Sequence, residues 1–415
     1  MINDWAARKA VIGGSVASVL VLGDFSQALE VTRSLGESGH RIIVGTSSLY
    51  CYANLSRHCA ETWHHPPIVE SVSSFFEALK DFLRSRPDIT VIFPTEDIYL
   101  VRFCENRDRL PNDIKIVMPD CSLIQLSDDK PAMHSLIDEL GIPQAAYAVA
   151  KGKADLFEKC AALGYPCVLL HIDSREAILG RKAMIIDSRQ HLERVFQHRP
   201  DFDGRLLLRA FASGTRYNYY LVASEGRILD GIQLKTTRTD RLDGTGPSVE
   251  CWSNAPMPEI TRYTEMLLSQ MNYSGPGMTQ FIVDERRGTI AFLEVNPRLG
   301  GCCSVARHAG IDLVRMAFDL TCGTLPAEPG GQSNYPVGIR FAWFGGDFTG
   351  LRRDWRRGEI SLRQAIAWIG RSIEMAIRAD AHVCWRWDDP LPGLGCLFRE
   401  ILLAVRKRVG GRTKV

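Results

Sequence analysis

The sequence predicts a mixed α/β and α+β protein, with a parallel α/β unit at the N-terminus and two α+β units after it. Three observations carry this. The chain has 415 residues, more than one ordinary hydrophobic core accommodates. Over the first 120 residues short apolar runs alternate with amphipathic helical stretches, the pattern of a parallel sheet covered on both faces. From residue 205 strand-like segments dominate. The expected boundaries are 1–120, 121–204, 205–335 and a C-terminal extension over 336–415.

In chain order, "VASVLVLG" (16–23) is a continuous apolar run, and "SQALEVTRSLGESG" has helical spacing ending on a glycine. "RIIVGT" (41–46), "ITVIFPTED" (89–97) and "IKIVMPD" (114–120) are three further strands, with the capped helix "SVSSFFEALKDFLRSR" between the first two. The first strand is followed by "GDFSQALE", without the G-x-G-x-x-G that a dinucleotide pyrophosphate needs, so an NAD-dependent enzyme is disfavoured. Ligands of open parallel sheets sit at the carboxyl ends of strands, which makes "PTED" and its Glu96 a candidate substrate edge. "SDDKPAMHSLIDELGIP" (127–143) and "SRQHLERVFQHRP" (188–200) read as helices. Strands follow at 205–211, 217–224, 227–237, 277–284 and 289–296, and the segment from about 335 is Trp-rich and helical.

Composition excludes several classes. Charged residues are 24%, hydrophobic residues 45% and the net charge +2, which gives no reason to invoke nucleic acid. No window reaches the ~20 apolar residues of a membrane span. The polar start and glycine-broken apolar run of the first 25 residues do not read as a secretory signal. Twelve cysteines without a C-x-x-C pair imply a reduced, cytoplasmic protein with free thiols. The basic C-terminus, "VRKRVGGRTK", reads as a solvated tail or a weak anionic-surface contact.

The stretch "FLEVNPRLGG" (292–301) carries the chemistry. The preceding strand holds Gln280, and "DERRG" (284–288) is a polar turn. A hairpin folded symmetrically about Arg287 sets Gln280 across from Glu294, with Cβ atoms roughly 5 Å apart. Asn296 shares the face of Glu294, while Phe281, Leu293 and Val295 face the core. Three oxygen-bearing side chains on one patch suit a hard cation held jointly with phosphates, Mg²⁺ or alternatively Mn²⁺. Pro297 ends the strand, and Arg298 emerges beside the patch, where it suits a phosphoryl or carboxylate oxygen.

"LEVNPRLGG" resembles the metal-binding signature of the ATP-grasp superfamily, and the Gln280, Glu294, Asn296 set resembles its carbamoyl-phosphate-synthetase-like branch. Weaker likenesses follow in the right order along most of the chain, most similar to bacterial stand-alone carboxylate–amine ligases. The resemblance implies a pre-ATP-grasp α/β domain, then an ATP-grasp fold of two α+β subdomains clasping nucleotide: a small lid over 121–204 and a large, metal-bearing one over 205–335. It implies that Lys130 meets ATP, that the backbone of the hinge at Arg209, Ala210 and Phe211 reads adenine, and that Gln280, Glu294 and Asn296 hold metal, with Glu294 and Arg298 catalytic. The lysine that the family carries on the phosphate strand is Leu170 here, its glycine-rich loop is reduced to Gly180, and Arg181 or Lys182 is expected to replace the missing charge. The implied reaction joins a small-molecule carboxylate to an amine with ATP and Mg²⁺, through an acyl phosphate. Arg238, in "KTTRTDRLDGTGPS", is a candidate carboxylate anchor. A homodimer stays open. The competing reading is a catalytically degenerate nucleotide-binding or regulatory protein, favoured by Leu170.

Overall fold

The computed structural model describes residues 16–48, 51–173, 178, 181–197, 205–325 and 334–396. The first sheet is wholly parallel, in the order β3-β2-β1-β4-β5. Its strands are β1 (Ser18–Leu22), β2 (Arg41–Thr46), β3 (Cys59–His64), β4 (Ile89–Pro94) and β5 (Lys115–Ile116). Helices α1 (Ser26–Glu37), α2 (Val72–Ser85) and α3 (Asp97–Glu105) connect them. Strand β3 was not expected. Its sequence, CAETWH, lies on the sheet edge and is only half-buried, so it lacks the apolar run of the inner strands. Helix α2 begins where the Ser71 hydroxyl accepts the Ser74 amide, and it buries Phe75, Phe76, Leu79 and Leu83.

Helices α4 (Cys121–Asp128) and α5 (Lys130–Glu139) follow. A four-stranded antiparallel sheet comes next, in the order β6-β9-β7-β8, from β6 (Tyr147–Lys151), β7 (Cys167–His171), β8 (Ala183–Ile186) and β9 (Arg205–Ala210). It is backed by α6 (Gly152–Leu163) and α7 (Arg189–Phe196), with Leu156, Cys160, Leu192 and Phe196 in its core. The large sheet runs β14-β13-β10-β11-β12-β15-β16. Its strands are β10 (Thr215–Ser224), β11 (Arg227–Thr239), β12 (Ser248–Ser253), β13 (Gly275–Asp284), β14 (Thr289–Asn296), β15 (Arg340–Ala342) and β16 (Ala381–His382). Further helices are α8 (Pro258–Gln270), α9 (Ser304–His308), α10 (Leu313–Cys322), α11 (Phe344–Arg356) and α12 (Leu362–Arg378).

Three expected boundaries move. Strand β9 sits between β6 and β7, so it closes the small sheet rather than opening the large unit. Leu123, Met133 and Ile137 of α4 and α5 pack under the large sheet with Tyr217, Tyr219 and Phe281, so these helices belong to the large unit's core. The C-terminal extension supplies β15 and β16 to the large sheet instead of merely lying against it. The other face of the large sheet shares one core with the N-terminal sheet through α1, α9 and α10, where Val21, Leu29, Tyr220, Cys302, Cys303 and Val314 meet.

Cys104 and Cys121 are joined in a disulfide, against the expectation of free thiols throughout. The end of α3 and the start of α4 lie side by side, which brings together two cysteines 17 residues apart. The first 15 residues, Gly180 with most of its loop, and the basic C-terminus lie outside the described residues. Among the described residues no helix is long and apolar enough to cross a membrane.

Candidate active site

The β13–β14 hairpin sets Gln280 opposite Glu294 and Met278 opposite Asn296, as the symmetric fold predicts. Nearer the turn the register shifts by one, pairing Phe281 with Phe292. Leu293 is the surplus residue of this bulge, which corrects its assignment to the core: Phe292 takes the buried position, and Leu293 lines a cleft. Strand β10 extends the row, with Asn218 paired to Gln280. Asn218, Gln280 and Glu294 thus stand side by side on three neighbouring strands. The Asn296 amide donates to Glu294 Oε1 at 3.0 Å. Asn218 donates to Thr236 Oγ1 at 2.9 Å, while its own buried Oδ1 has no hydrogen-bond partner. Such an orphaned acceptor is unusual in a protein interior and marks a polar row open to a further group.

Arg298 grips Asp97 through two parallel bonds, Nε to Oδ1 at 2.6 Å and Nη2 to Oδ2 at 2.8 Å. Asp97 belongs to "PTED", so the candidate substrate edge of the first sheet meets the arginine of the hairpin motif. Burial pushes the Asp97 carboxyl up, but the Arg298 guanidinium outweighs it and holds it below its usual range. Burial likewise opposes the charge on Arg298, and Asp97 keeps that charge fixed. Close approach explains two glycines here. A Cβ on Gly300 would lie 2.5 Å from the Tyr220 ring and 2.8 Å from Met278 Sδ. Gly23, at φ +142°, would place one 2.1 Å from Thr95 Oγ1.

The first sheet reverses strand order between β1 and β4, and the carboxyl ends of that pair carry Asp24 and Glu96. The Asp24 amide donates to Glu96 Oε1 at 2.6 Å. Burial raises the Glu96 carboxyl to about 7, with the Asp24 charge adding to the rise and the Asp24 amide bond opposing it.

The small sheet supplies the facing wall of the cleft, through Leu170, Leu207 and Arg209. Lys130, the first residue of α5, is set there by Asp129, whose side chain accepts the Ala132 amide. Its ammonium donates to the carbonyls of His171 at 2.8 Å and Ile172 at 3.0 Å, beside the strand end where Leu170 replaces the expected lysine. Burial lowers its pKa while Glu294 pulls it up. Arg209 donates to the Leu293 carbonyl at 2.9 Å, and burial depresses it to about 10 against the field of Glu294.

Other expected residues lie elsewhere. Arg181 is ion-paired to Asp243 at 3.2 Å and Glu359 at 2.7 Å, away from the cleft walls, because acidic partners reach it from the β11–β12 loop and the C-terminal extension. Lys182 acts electrostatically on both Asp97 and Lys130. Arg238 is held by Asp347 at 2.6 Å and Glu250 at 3.7 Å and lies over the Trp368 ring, a tether for α11 and α12 rather than an anchor facing the cleft. The backbone amides of Ala210 and Phe211 already donate to Ala146 O and Pro166 O, so neither is available to donate to a base. Asn218, Asp97 and Asp24 were not singled out from sequence. "PTED" contained Asp97, whereas nothing local marks Asn218, which is found only through its strand partner.

Among the described residues there is no cluster of three or more His, Cys, Asp or Glu poised as metal ligands. A cation here would rest on Glu294 with amide oxygens of Gln280 and Asn296, an all-oxygen set of low charge that suits a hard divalent ion sharing its remaining positions with anionic oxygens.

Residues 247–327, which include the hairpin, match the family model "Carbamoyl-phosphate synthase L chain, ATP binding domain". The arginine-specific large chain of carbamoyl phosphate synthase from Bacillus subtilis is 24% identical over 234 residues, 53% of this chain and 22% of that one. The large chain from Caldanaerobacter subterraneus is 26% identical over 232 residues, 53% of this chain and 21% of that one. The chain therefore spans about a fifth of the length of these curated relatives. Among solved structures, the biotin carboxylase domain of Hydrogenobacter thermophilus 2-oxoglutarate carboxylase aligns with a TM-score of 0.61 at 18% identity, over 79% of this chain and 74% of that one. N5-carboxyaminoimidazole synthetase from Staphylococcus aureus aligns with a TM-score of 0.60 at 12% identity, over 82% and 86%. The hairpin and its surroundings thus resemble in sequence the ATP-binding domain of carbamoyl phosphate synthase, within a fold shared with these two solved structures.

Proposed function

We propose that the chain is an ATP-dependent ligase that joins a carboxylate to an amine through an acyl phosphate, releasing ADP and phosphate. The observation that carries this is the oxygen row of Gln280, Glu294 and Asn296, of which Glu294 and Asn296 line one cleft with Lys130, next to an Arg298 clamped by Asp97 of the N-terminal unit. Gln280, Glu294 and Asn296 would hold Mg²⁺, which when bound would neutralise charge on the transferring phosphoryl group. Lys130, with Lys182 beside it, supplies the positive charge that Leu170 does not. Arg298, preorganised by Asp97, stabilises the oxygens of the phosphoryl group as the substrate carboxylate attacks it. Glu96, protonated or ionised near neutrality, faces the amine at the β1–β4 crevice. The free volume of the cleft is about 60 Å³, below the roughly 300 Å³ at the small end of ligand pockets, so the small sheet swings outward to admit nucleotide. That opening breaks the bonds from Lys130 to His171 and Ile172 and frees the ammonium for phosphate.

The test is ADP release across a screen of amino acids and small carboxylic acids, with Glu294→Gln as the blank. Acid-dependent ADP formation, absent in the blank, is expected. Unchanged ADP formation in Glu294→Gln refutes the metal role. Leu170, an apolar side chain lining the cleft where the family carries a lysine, favours a second reading, nucleotide binding without turnover. Mg²⁺-dependent ATP binding with no ADP release across the screen, at substrate concentrations well above the millimolar range of ordinary KM values, selects that reading.

A further inference from the structure

We propose that the α11–α12 hairpin is a membrane-docking face that takes an anionic lipid bilayer surface. Helix α12 exposes Leu362, Ile366, Ile369, Ile373 and Ile377 along one side, with relative exposures of 63%, 62%, 46%, 51% and 79%. Spacings of three and four residues make this a single stripe, about 22 Å long at 1.5 Å per residue. Helix α11 continues it with Phe348 and Trp355, 42% and 49% exposed, and between the two helices runs an apolar groove of about 300 Å³.

The orientation of α12 is enforced from its other side. Trp368 and Met375 are buried there. The Trp368 indole and Ser372 donate to Asp347, and Arg371 bonds both oxygens of the buried Glu250. Turning the stripe inward would strand buried carboxylates without their partners, a cost larger than that of exposing isoleucine. The outward apolar face is therefore built into the fold, and a contiguous face of this kind calls for a partner.

Charge selects the partner. Residues 344–378 contain seven arginines against four acids. Arg356 and Arg363, at the rim, have no acidic partner within ion-pair distance among the described residues. A second copy of this chain, docked by a two-fold axis, would set this arginine set against itself. The segment 397–415 carries six basic residues against one acid, so it shares the sign of the rim and would be repelled from it. An anionic bilayer accepts both the apolar stripe, seated at the headgroup–acyl boundary, and the arginines around it.

The test is flotation of the full chain with vesicles of equimolar phosphatidylglycerol and phosphatidylcholine, and with phosphatidylcholine alone. Binding to the anionic vesicles, at least about tenfold stronger than to neutral ones and weakened by salt, is expected. Ile366→Glu with Ile373→Glu, both at exposed positions, should lower partition at least about tenfold with an unchanged melting temperature. If that pair fails to fold, Ile366→Ser with Ile373→Ser replaces it. Arg356→Gln with Arg363→Gln should weaken only the anionic binding. No partition onto either vesicle, equal partition onto both, or undiminished partition of the isoleucine variant overturns the proposal. So does a dimer in gel filtration that the isoleucine variant dissolves, which would assign the face to a second copy. Loss of binding on replacing Arg406, Lys407 and Arg408 with Gln, with the isoleucine variant still binding, would assign it to the terminal segment and overturn the proposal equally.

Discussion

Asp97, the first residue of α3, holds Arg298 by a two-point bond, so the arginine's direction depends on a residue about 200 positions away. Asp97→Asn keeps the shape but removes the charge that fixes the guanidinium. We expect kcat/KM for ADP formation to fall by roughly 10- to 100-fold, since losing a charge-assisted bidentate pair costs about 1.5–3 kcal/mol. Nucleotide affinity measured by calorimetry should change far less, which separates positioning of the reacting group from binding. Glu96 offers a second residue-scale test. Its native carboxyl is raised to about 7 by burial, above the ordinary carboxylate value it regains on unfolding. The native state therefore binds more protons between roughly pH 4.5 and 7, so this group's contribution lowers stability as pH rises through that window and levels off above it. Urea unfolding of wild type against Glu96→Gln, compared at both ends of the window, should show a difference of at most about 3 kcal/mol, reduced by partial solvation of the carboxyl. An identical pH dependence in both proteins would contradict the shift.

Helix α5 delivers Lys130 because the helix starts where it does. Asp129 caps it and Pro131 occupies its first turn, so the lysine is the first helical residue and reaches the end of β7. Lys130→Ala should weaken ATP binding at least about tenfold, the loss of one charge-assisted phosphate contact. Asp129→Ala should cost about 1 kcal/mol of stability through the lost cap and weaken ATP binding less than Lys130→Ala. Calorimetry and denaturant midpoints check the pair, and equal ATP affinity in wild type and Lys130→Ala would remove the lysine from the site. The bulge at Leu293 is the other decisive local feature. It lets Phe292 enter the core while Glu294 keeps its place opposite Gln280.

Across the whole molecule, buried and half-buried ion pairs between distant segments join the N-terminal unit to the large unit and to the extension. Arg33 of α1 bonds Asp389 at 2.9 Å, each side chain 1% exposed, and the Asp389 carboxylate also accepts from Ser56 and the Arg57 amide. Arg307 of α9 reaches Glu30 and Glu37 of α1, and Arg386 reaches Glu37. Asp389→Asn should destabilise the fold by roughly 3–5 kcal/mol, because it leaves the Arg33 guanidinium buried without its counter-charge. Thermal unfolding checks this, and an unchanged melting temperature would show that the extension is not locked to α1. The same coupling carries the site, since the cleft needs "PTED" from the first sheet, Lys130 from α5 and the hairpin from the large sheet at once.

Local pattern was enough for the elements with one unambiguous period. The parallel strands around residues 16–46 and 89–94, the capped helices and the Gln280–Glu294 opposition all follow from apolar runs, cap residues and hairpin symmetry. The polar edge strand β3, the transfer of β9 to the small sheet and the Cys104–Cys121 pair were not legible, because each depends on which element lies next to which in space. The same holds for charge. Sequence listed the arginines and lysines near the motif but not their partners, and electrostatic roles are set over a few ångströms between segments hundreds of residues apart. Arg298 met Asp97, whereas Arg181 and Arg238 were taken by Asp243, Glu359, Glu250 and Asp347. The residue types and the strand that presents them were thus determined by the sequence. Which of those charges face the cleft was decided only by tertiary packing, because a buried cation takes whichever carboxylate the fold brings within reach.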